Sequence, residues 1–248
     1  QMEYGDKHIL VLGAGASGIG ASWVLAQVGA HVVLNDYKPV TLPADEEKRL
    51  VSAGVEIITG LQDESLLDGV DRIVISPGIS LDIPIVKAAQ ARGIDVVSEV
   101  EVAYELSKSP IVAVTGTNGK TTTTTLLTKV LEGTGKPVRV GGNIGDSLSE
   151  VAYSMPADGF LVAELSSYQL ETIKHFRPVG AIMLNITPDH LARHKTMENY
   201  IAAKERIFEN QLSTDFMVLN IDDPIVADME PRVPSHILKI SQHQVVSN

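Results

Sequence analysis

Val114-Thr115-Gly116-Thr117-Asn118-Gly119-Lys120-Thr121-Thr122 follows an apolar run, Ile111 to Val114, and opens a segment that can start a helix. That combination suits polyphosphate chemistry. Glycines let backbone N–H groups close around phosphates, and the helix start adds the positive end of a dipole. Lys120 supplies a mobile cation, and the Thr121 hydroxyl can bind Mg²⁺. The usual loop has a glycine where this chain has Val114. Here the glycine falls at Gly116, so the loop is two residues shorter. A Gly-Thr turn with a solvated lysine is the plainer alternative, and the strand–loop–helix setting favours a nucleoside triphosphate.

Three more residues stand where chemistry is feasible. Glu164 ends the apolar run Phe160 to Ala163, at the carboxyl edge of a strand, where ligands of open α/β sheets gather. Its carboxylate can bind Mg²⁺ directly or through water, or it can be a solvated strand-end acid. His190 lies in Asn185-Ile186-Thr187-Pro188-Asp189-His190-Leu191, just past a proline-directed turn at the end of another apolar strand. If that edge is shared with Glu164 and the glycine loop, a metal or substrate role and an idle histidine are both open. Lys204 sits within the helical pattern Tyr200 to Phe208, where a surface lysine is the ordinary expectation.

These residues need a scaffold of alternating strands and helices. His8 to Leu12 reads as a strand leading into Gly13-Ala14-Gly15-Ala16-Ser17-Gly18, followed by a helix over Ile19 to Gln27 that stops at Gly29. His31 to Leu34 is a second strand, and Asp36 stands at its end, where a dinucleotide-binding fold places its ribose-binding acid. NAD is thus one reading of the first loop, although the same geometry accepts other diphosphates. Strands over Val55 to Thr59, Arg72 to Ser76 and Asp95 to Ser98, with helices over Pro84 to Arg92 and Glu99 to Ser107, extend the pattern. Beyond the linker Ser107-Lys108-Ser109-Pro110 come a helix over Thr122 to Leu131 and strands over Gly159 to Glu164, Gly180 to Asn185 and Phe216 to Asn220. The β-branched run Thr121 to Thr125 makes that helix dependent on contacts rather than propensity. The expected architecture is α/β, with a Rossmann-like parallel-sheet domain over 1–108 and a P-loop-type α/β domain over 109–248.

The composition agrees with two ordinary cores. There are 248 residues, 44% of them hydrophobic, and no apolar run nears the ~20 residues that span a bilayer. A formal charge of −11, without a basic patch, argues against nucleic acid as a partner. The absence of cysteine excludes disulfides and cysteine metal sites and fits a reducing cytoplasm. The chain begins at Gln1, and no charged-then-apolar signal sequence is expected before the first strand. The expectation is a cytoplasmic monomer without membrane insertion.

Taken in order, Gly116-Thr117-Asn118-Gly119-Lys120-Thr121, Gly142-Asn143-Ile144-Gly145, Glu164-Leu165-Ser166-Ser167-Tyr168-Gln169-Leu170-Glu171, Asn185 to Leu191 and Ala203-Lys204-Glu205-Arg206-Ile207 resemble the Mur ligases of peptidoglycan synthesis. The Ser-Ser-aromatic-Gln-Leu segment is most similar to the branch that adds D-glutamate to UDP-N-acetylmuramoyl-L-alanine. The resemblance implies that the first domain holds UDP rather than NAD, with Ser17, Asp36 and Gly78 as its contacts. It places Asn143, Ser166 and His190 near the muramoyl-alanine end. It assigns Gly116 to Thr122 to ATP, with catalytic roles for Lys120, His190 and Lys204, and metal binding by Thr121, Glu164, His190 and Lys204. Lys204 matches a carbamylated lysine, which requires a neutral amine to which CO₂ adds.

Two departures accompany the likeness. The family commonly has an acid two residues after the histidine, where this chain has Ala192. It also has a third, C-terminal domain that helps bind ATP and the amino acid, which is expected to be absent here with the second domain incomplete, leaving this chain inactive alone. A non-catalytic nucleotide-binding module and a ligase of the folate polyglutamate type are the competing readings.

Overall fold

The computed structural model describes residues 2–143 and 146–248, so Ile144 and Gly145 of the Gly-Asn-Ile-Gly segment lie outside the described residues. The first unit runs β1 (His8–Leu12), α1 (Ala16–Gln27), β2 (His31–Asp36), α2 (Ala44–Ser52), β3 (Glu56–Thr59), β4 (Arg72–Ile75), α3 (Pro84–Ala91) and β5 (Asp95–Ser98). All five strands are parallel, in the order β3-β2-β1-β4-β5. Parallel neighbours need crossover connections, and these cover both sheet faces. Ile9, Val11 and Val74 therefore pack under α1, whereas Leu10, Leu12 and Ile73 pack with Ile85, Val86 and Ala89 of α3.

Helix α4 (Glu99–Leu106) joins the units and belongs to both cores. Val102 packs in the first, Val100 and Ala103 in the second. The second unit continues as β6 (Ile111–Thr115), α5 (Lys120–Glu132), β7 (Val138–Gly142), α6 (Leu148–Ser154), β8 (Phe160–Glu164), α7 (Ser167–Leu170) and β9 (Gly180–Met183), then α8 (Leu191–His194), α9 (Met197–Glu205), β10 (Phe216–Asn220), α10 (Pro224–Ala227) and β11 (His236–Ile240). Its strands are again parallel, in the order β11-β10-β9-β6-β8-β7. In each sheet the chain order reverses at the first strand, β1 or β6. A crevice opens there at the carboxyl ends of the strands.

Several boundaries differ from the sequence reading. Helices α1 and α5 begin at Ala16 and Lys120, earlier than Ile19 and Thr122, because each glycine loop passes directly into its helix. The threonine run of α5 bonds back to its own helix: Thr124 and Thr125 donate to the carbonyls of Lys120 (2.9 Å) and Thr121 (2.8 Å), which satisfies the hydroxyls without adding to the helix's own stability. The helix expected over Tyr200 to Phe208 starts at Met197, capped by the Thr196 hydroxyl, and Arg206–Phe208 tightens into a 3₁₀ turn. The strand expected to reach Asn185 stops at Met183, since Asn185 turns away to serve the glycine loop. Among the described residues no helix is long and apolar enough to cross a membrane.

Candidate functional site

At the end of β6 the loop depends on two left-handed glycines, Gly116 (φ 148°) and Gly119 (φ 87°). A Cβ on Gly116 would stand 2.9 Å from the Leu184 Cβ. Asn185 closes the loop: its Oδ1 accepts from the N–H groups of Thr117 (3.1 Å) and Asn118 (2.8 Å), and its Nδ2 donates to the Asn118 carbonyl (2.9 Å). Lys120 folds back over the loop and donates to the carbonyls of Gly116 (2.9 Å) and Thr117 (3.2 Å). An anion seated on the loop can take that ammonium group in exchange for two carbonyls.

Glu164 is 2% exposed at the end of β8, next to β6. The Thr121 hydroxyl donates to its two carboxylate oxygens at 3.3 and 3.2 Å, and the Asn143 amide reaches Oε1 at 3.5 Å. Gly142 permits this approach. Its φ is 110°, and a Cβ there would lie 2.4 Å from the Glu164 carbonyl oxygen. One hydroxyl and one carboxylate beside a phosphate loop are hard oxygen donors that fit Mg²⁺, an ion that keeps several waters and shares its ligands with phosphate. Among the described residues, no group of three or more His, Asp or Glu side chains could hold a metal without such help.

Lys204 departs from the surface-lysine reading. It is 2% exposed on α9, and its Nζ donates to the Thr115 hydroxyl oxygen (3.1 Å) and the Gly116 carbonyl (2.7 Å). Burial, and then the nearby Lys120 charge, lower its pKa to about 7, against the opposing pull of Asp189 and Glu164. The neutral form of the amine is therefore favoured relative to an exposed lysine. His190 adopts a left-handed conformation (φ 51°) at the start of α8, with Nδ1 2.9 Å from the Tyr168 hydroxyl and Nε2 3.4 Å from Asp189. Its described polar contacts are thus with Tyr168 and Asp189, not with Glu164 or Lys204. Ser166 caps α7 in a reciprocal box with Gln169, and Ala192 is exposed on α8.

The first unit presents a cleft of about 950 Å³ that Ser17, Asp36 and Gly78 all line, with Ile79, Ile83 and Ile85 as an apolar wall. Asp36 does structural work there: Oδ2 accepts from the Ala14 N–H and Oδ1 from the Lys38 N–H, both at 3.0 Å. Gly18 allows α1 to approach the loop, since a Cβ would sit 1.8 Å from the Gly13 carbonyl oxygen. A small uncharged loop, a helix start and an apolar wall can hold a diphosphate and an attached flat ring.

Tyr200 had no assigned role in the sequence reading. It is 1% exposed, and its hydroxyl lies 3.0 Å from the Thr117 hydroxyl, which also accepts from the Thr187 N–H (3.0 Å). Asn185 and Tyr168 lay inside singled-out segments without a function of their own. Glu99 and Glu101 fell inside the helix expected over Glu99 to Ser107, without a role of their own. Both are buried, and both face the second unit: Glu101 accepts from the N–H groups of Lys174, His175 and Phe176. Their partners are too distant in sequence for any local signal to show them.

Comparison with known proteins identifies both units. The Mur ligase middle domain matches residues 114–246, and the MurD-like N-terminal domain of Mur ligases matches residues 7–98. UDP-N-acetylmuramoylalanine–D-glutamate ligase of Caldanaerobacter subterraneus subsp. tengcongensis is 45% identical over 247 residues, covering 100% of this chain and 55% of that protein. The protein of the same name from Pelotomaculum thermopropionicum is 46% identical over 242 residues, covering 98% and 53%. The chain therefore spans about half the length of the curated relatives it matches. Among solved structures, UDP-N-acetylmuramate:L-alanyl-gamma-D-glutamyl-meso-diaminopimelate ligase from Neisseria meningitides aligns with a TM-score of 0.65 at 21% identity, covering 94% of this chain and 78% of that one. MurF ligase from Thermotoga maritima, in complex with ADP, aligns with a TM-score of 0.50 at 19% identity, covering 97% and 48%. At such identities the likeness is one of fold, two parallel-sheet α/β units in series. With one domain matched in each unit and the second match covering more than half of its length, the chain belongs to the Mur ligase family.

Proposed function

We propose that this chain, as part of its whole protein, serves an ATP-dependent, ADP-forming ligase that adds D-glutamate to UDP-N-acetylmuramoyl-L-alanine in the cytoplasm. The observation that carries the reading is the convergence of Thr121, Asn143 and Glu164 beside Lys120 and a buried, partly neutral Lys204. The relatives at 45 and 46% identity, named for D-glutamate ligation, support the choice of amino acid.

In this reading the units divide as 1–108 and 109–248. The first cleft holds the UDP group through the loop backbone and Ser17, Asp36 and Gly78. The loop Gly116 to Thr122 holds the ATP phosphates, and Asn143, Ser166 and His190 face the muramoyl-alanine end. The alanyl carboxylate attacks the γ-phosphorus, the bond to the β-phosphate oxygen breaks, and an acyl phosphate and ADP result. Lys120 leaves its two carbonyl partners to stabilise charge on the transferred oxygens. Mg²⁺, when bound, neutralises phosphate charge and orients the phosphates. Thr121 and Glu164 would hold one ion, and His190 with a carbamylated Lys204 a second. The D-glutamate amine then attacks the acyl carbon, and phosphate departs as the amide forms. The neutral Lys204 amine can add to CO₂ and release one proton to solvent, giving a carbamate, an anion with two oxygen donors in place of the amine.

Calorimetric titration of this chain with UDP-N-acetylmuramoyl-L-alanine, with NADH as competitor, tests the reading. Saturable binding of the UDP-sugar with no effect of NADH is expected. Binding of NADH alone would return the first loop to dinucleotide chemistry and overturn it.

A further inference from the structure

The described acids include one whose position neither cleft explains. Glu99 is 4% exposed at the first turn of α4. Its Oε2 accepts from the Ser147 hydroxyl at 3.0 Å and its Oε1 from the Leu148 N–H at 2.8 Å, both at the start of α6. Ser17, in the first turn of α1, also lies near this carboxylate. The neighbours of Glu99 thus come from both units. Helix α1 meets the same spot directly, for a Cβ on Gly20 would stand 2.1 Å from the Ser147 hydroxyl oxygen.

From Ser147 the contacts run onward into the second cleft. The preceding residue, Asp146, bridges to Gly141 of β7. Gly142 and Asn143 follow, with the Asn143 N–H donating to the Glu164 carbonyl (2.8 Å) and its amide reaching the Glu164 carboxylate. One buried carboxylate thus stands between Ser17, which lines the first cleft, and the strand end that places Asn143 on Glu164. Burying a carboxylate is costly unless its oxygens are satisfied, so the donors from the two units are held to one arrangement.

We propose that Glu99 is a positioning residue that couples the two clefts, fixing Ser17 and the Asn143 strand end together so that a ligand in the first cleft alters affinity in the second. The inference rests on the functional reading above, which makes UDP and Mg²⁺–nucleotide the two ligands. Coupling of this kind is reciprocal and is measured as the ratio of one ligand's Kd without and with the other.

The test uses the full 248-residue chain, with UDP and the Mg²⁺ complex of a non-hydrolysable ATP analogue as probes, each titrated alone and against saturating partner. Wild type is expected to show coupling of ~5-fold or more. In Glu99→Gln, each ligand alone binds within ~3-fold of wild type while the coupling factor falls toward one. A purely structural role would lower the melting temperature and leave the factor intact. Should Glu99→Gln not fold, Ser147→Ala, which keeps the Glu99 carboxylate and removes one partner, is expected to reduce the factor. An unchanged factor in the folded variant, or a wild-type factor of one, overturns the proposal. Failure of wild type to bind either probe instead overturns the functional reading, and the coupling with it.

Discussion

The two clefts are built to one plan and equipped differently. Each lies where the chain order of a parallel sheet reverses, and each uses glycines to bring a helix start to the end of a central strand. In the first, the glycine loop carries no charge of its own, Ser17 and Gln62 are among the polar side chains of the lining, and Asp36 spends its two oxygens on the N–H groups of Ala14 and Lys38. In the second, the loop carries its own ammonium group, and a neighbouring strand brings a buried carboxylate within reach of Thr121. A backbone cradle suffices to hold a diphosphate. Charged side chains at the strand ends are what a site needs to move a phosphoryl group.

That contrast gives graded expectations. The largest effect belongs to Gly18→Ala, because the new Cβ would fall 1.8 Å from a backbone carbonyl oxygen that cannot swing away. Denaturant unfolding should show a loss of about 3 kcal/mol or more, and UDP binding should go with it. Lys120→Ala should weaken nucleotide binding ~100-fold, about 2.7 kcal/mol, and leave UDP affinity untouched in calorimetry; equal losses at both clefts would erase the distinction. Asp36→Asn should do the reverse on a smaller scale, weakening UDP ~10-fold with no change at the nucleotide loop.

The most gradual effect is a pH slope at the junction between the clefts. Burial raises the pKa of Glu99 from 4.5 to about 7, in spite of the donors from Ser147, Leu148, Ser17 and Ser149. Between those values the folded chain keeps a proton that the unfolded chain has lost, so stability must fall as pH rises through that window. The contribution is complete below pH 4.5 and gone above about 7. Subtracting the stability profile of Glu99→Gln from that of wild type should isolate a fall on the order of 1 kcal/mol per pH unit. A flat difference would show that the carboxylate is not desolvated.

Much of the scaffold was legible because its signals are local. Apolar runs such as Ile9 to Leu12 and Ile111 to Val114, each followed by glycines, report buried parallel strands and tight loops within a dozen residues. Glu164 was legible as a strand-end residue for the same reason, whereas His190 lies seven residues past the end of β9, at the start of α8. Edge strand β7 was not legible: three of the five residues in Val-Arg-Val-Gly-Gly are arginine or glycine, and it is held by register with β8 rather than by an apolar run. Burial of Lys204 was legible only through resemblance, because helix α9 gives no sign of which residues lie under the Gly116 loop. Glu99 lay further out of reach. Its hydroxyl partner Ser147 is 48 residues away, and an acid in the first turn of a helix is ordinarily a favourable surface charge.

Two clefts with separate tasks must be filled at once by different ligands. Saturating this chain with UDP-N-acetylmuramoyl-L-alanine and then titrating the Mg²⁺ complex of a non-hydrolysable ATP analogue measures this in one calorimetric experiment. Binding of one nucleotide per chain, with the UDP-sugar still bound, is the predicted result. Displacement of the UDP-sugar by the nucleotide would mean that the two loops compete for one ligand, and would contradict the division of labour between the clefts.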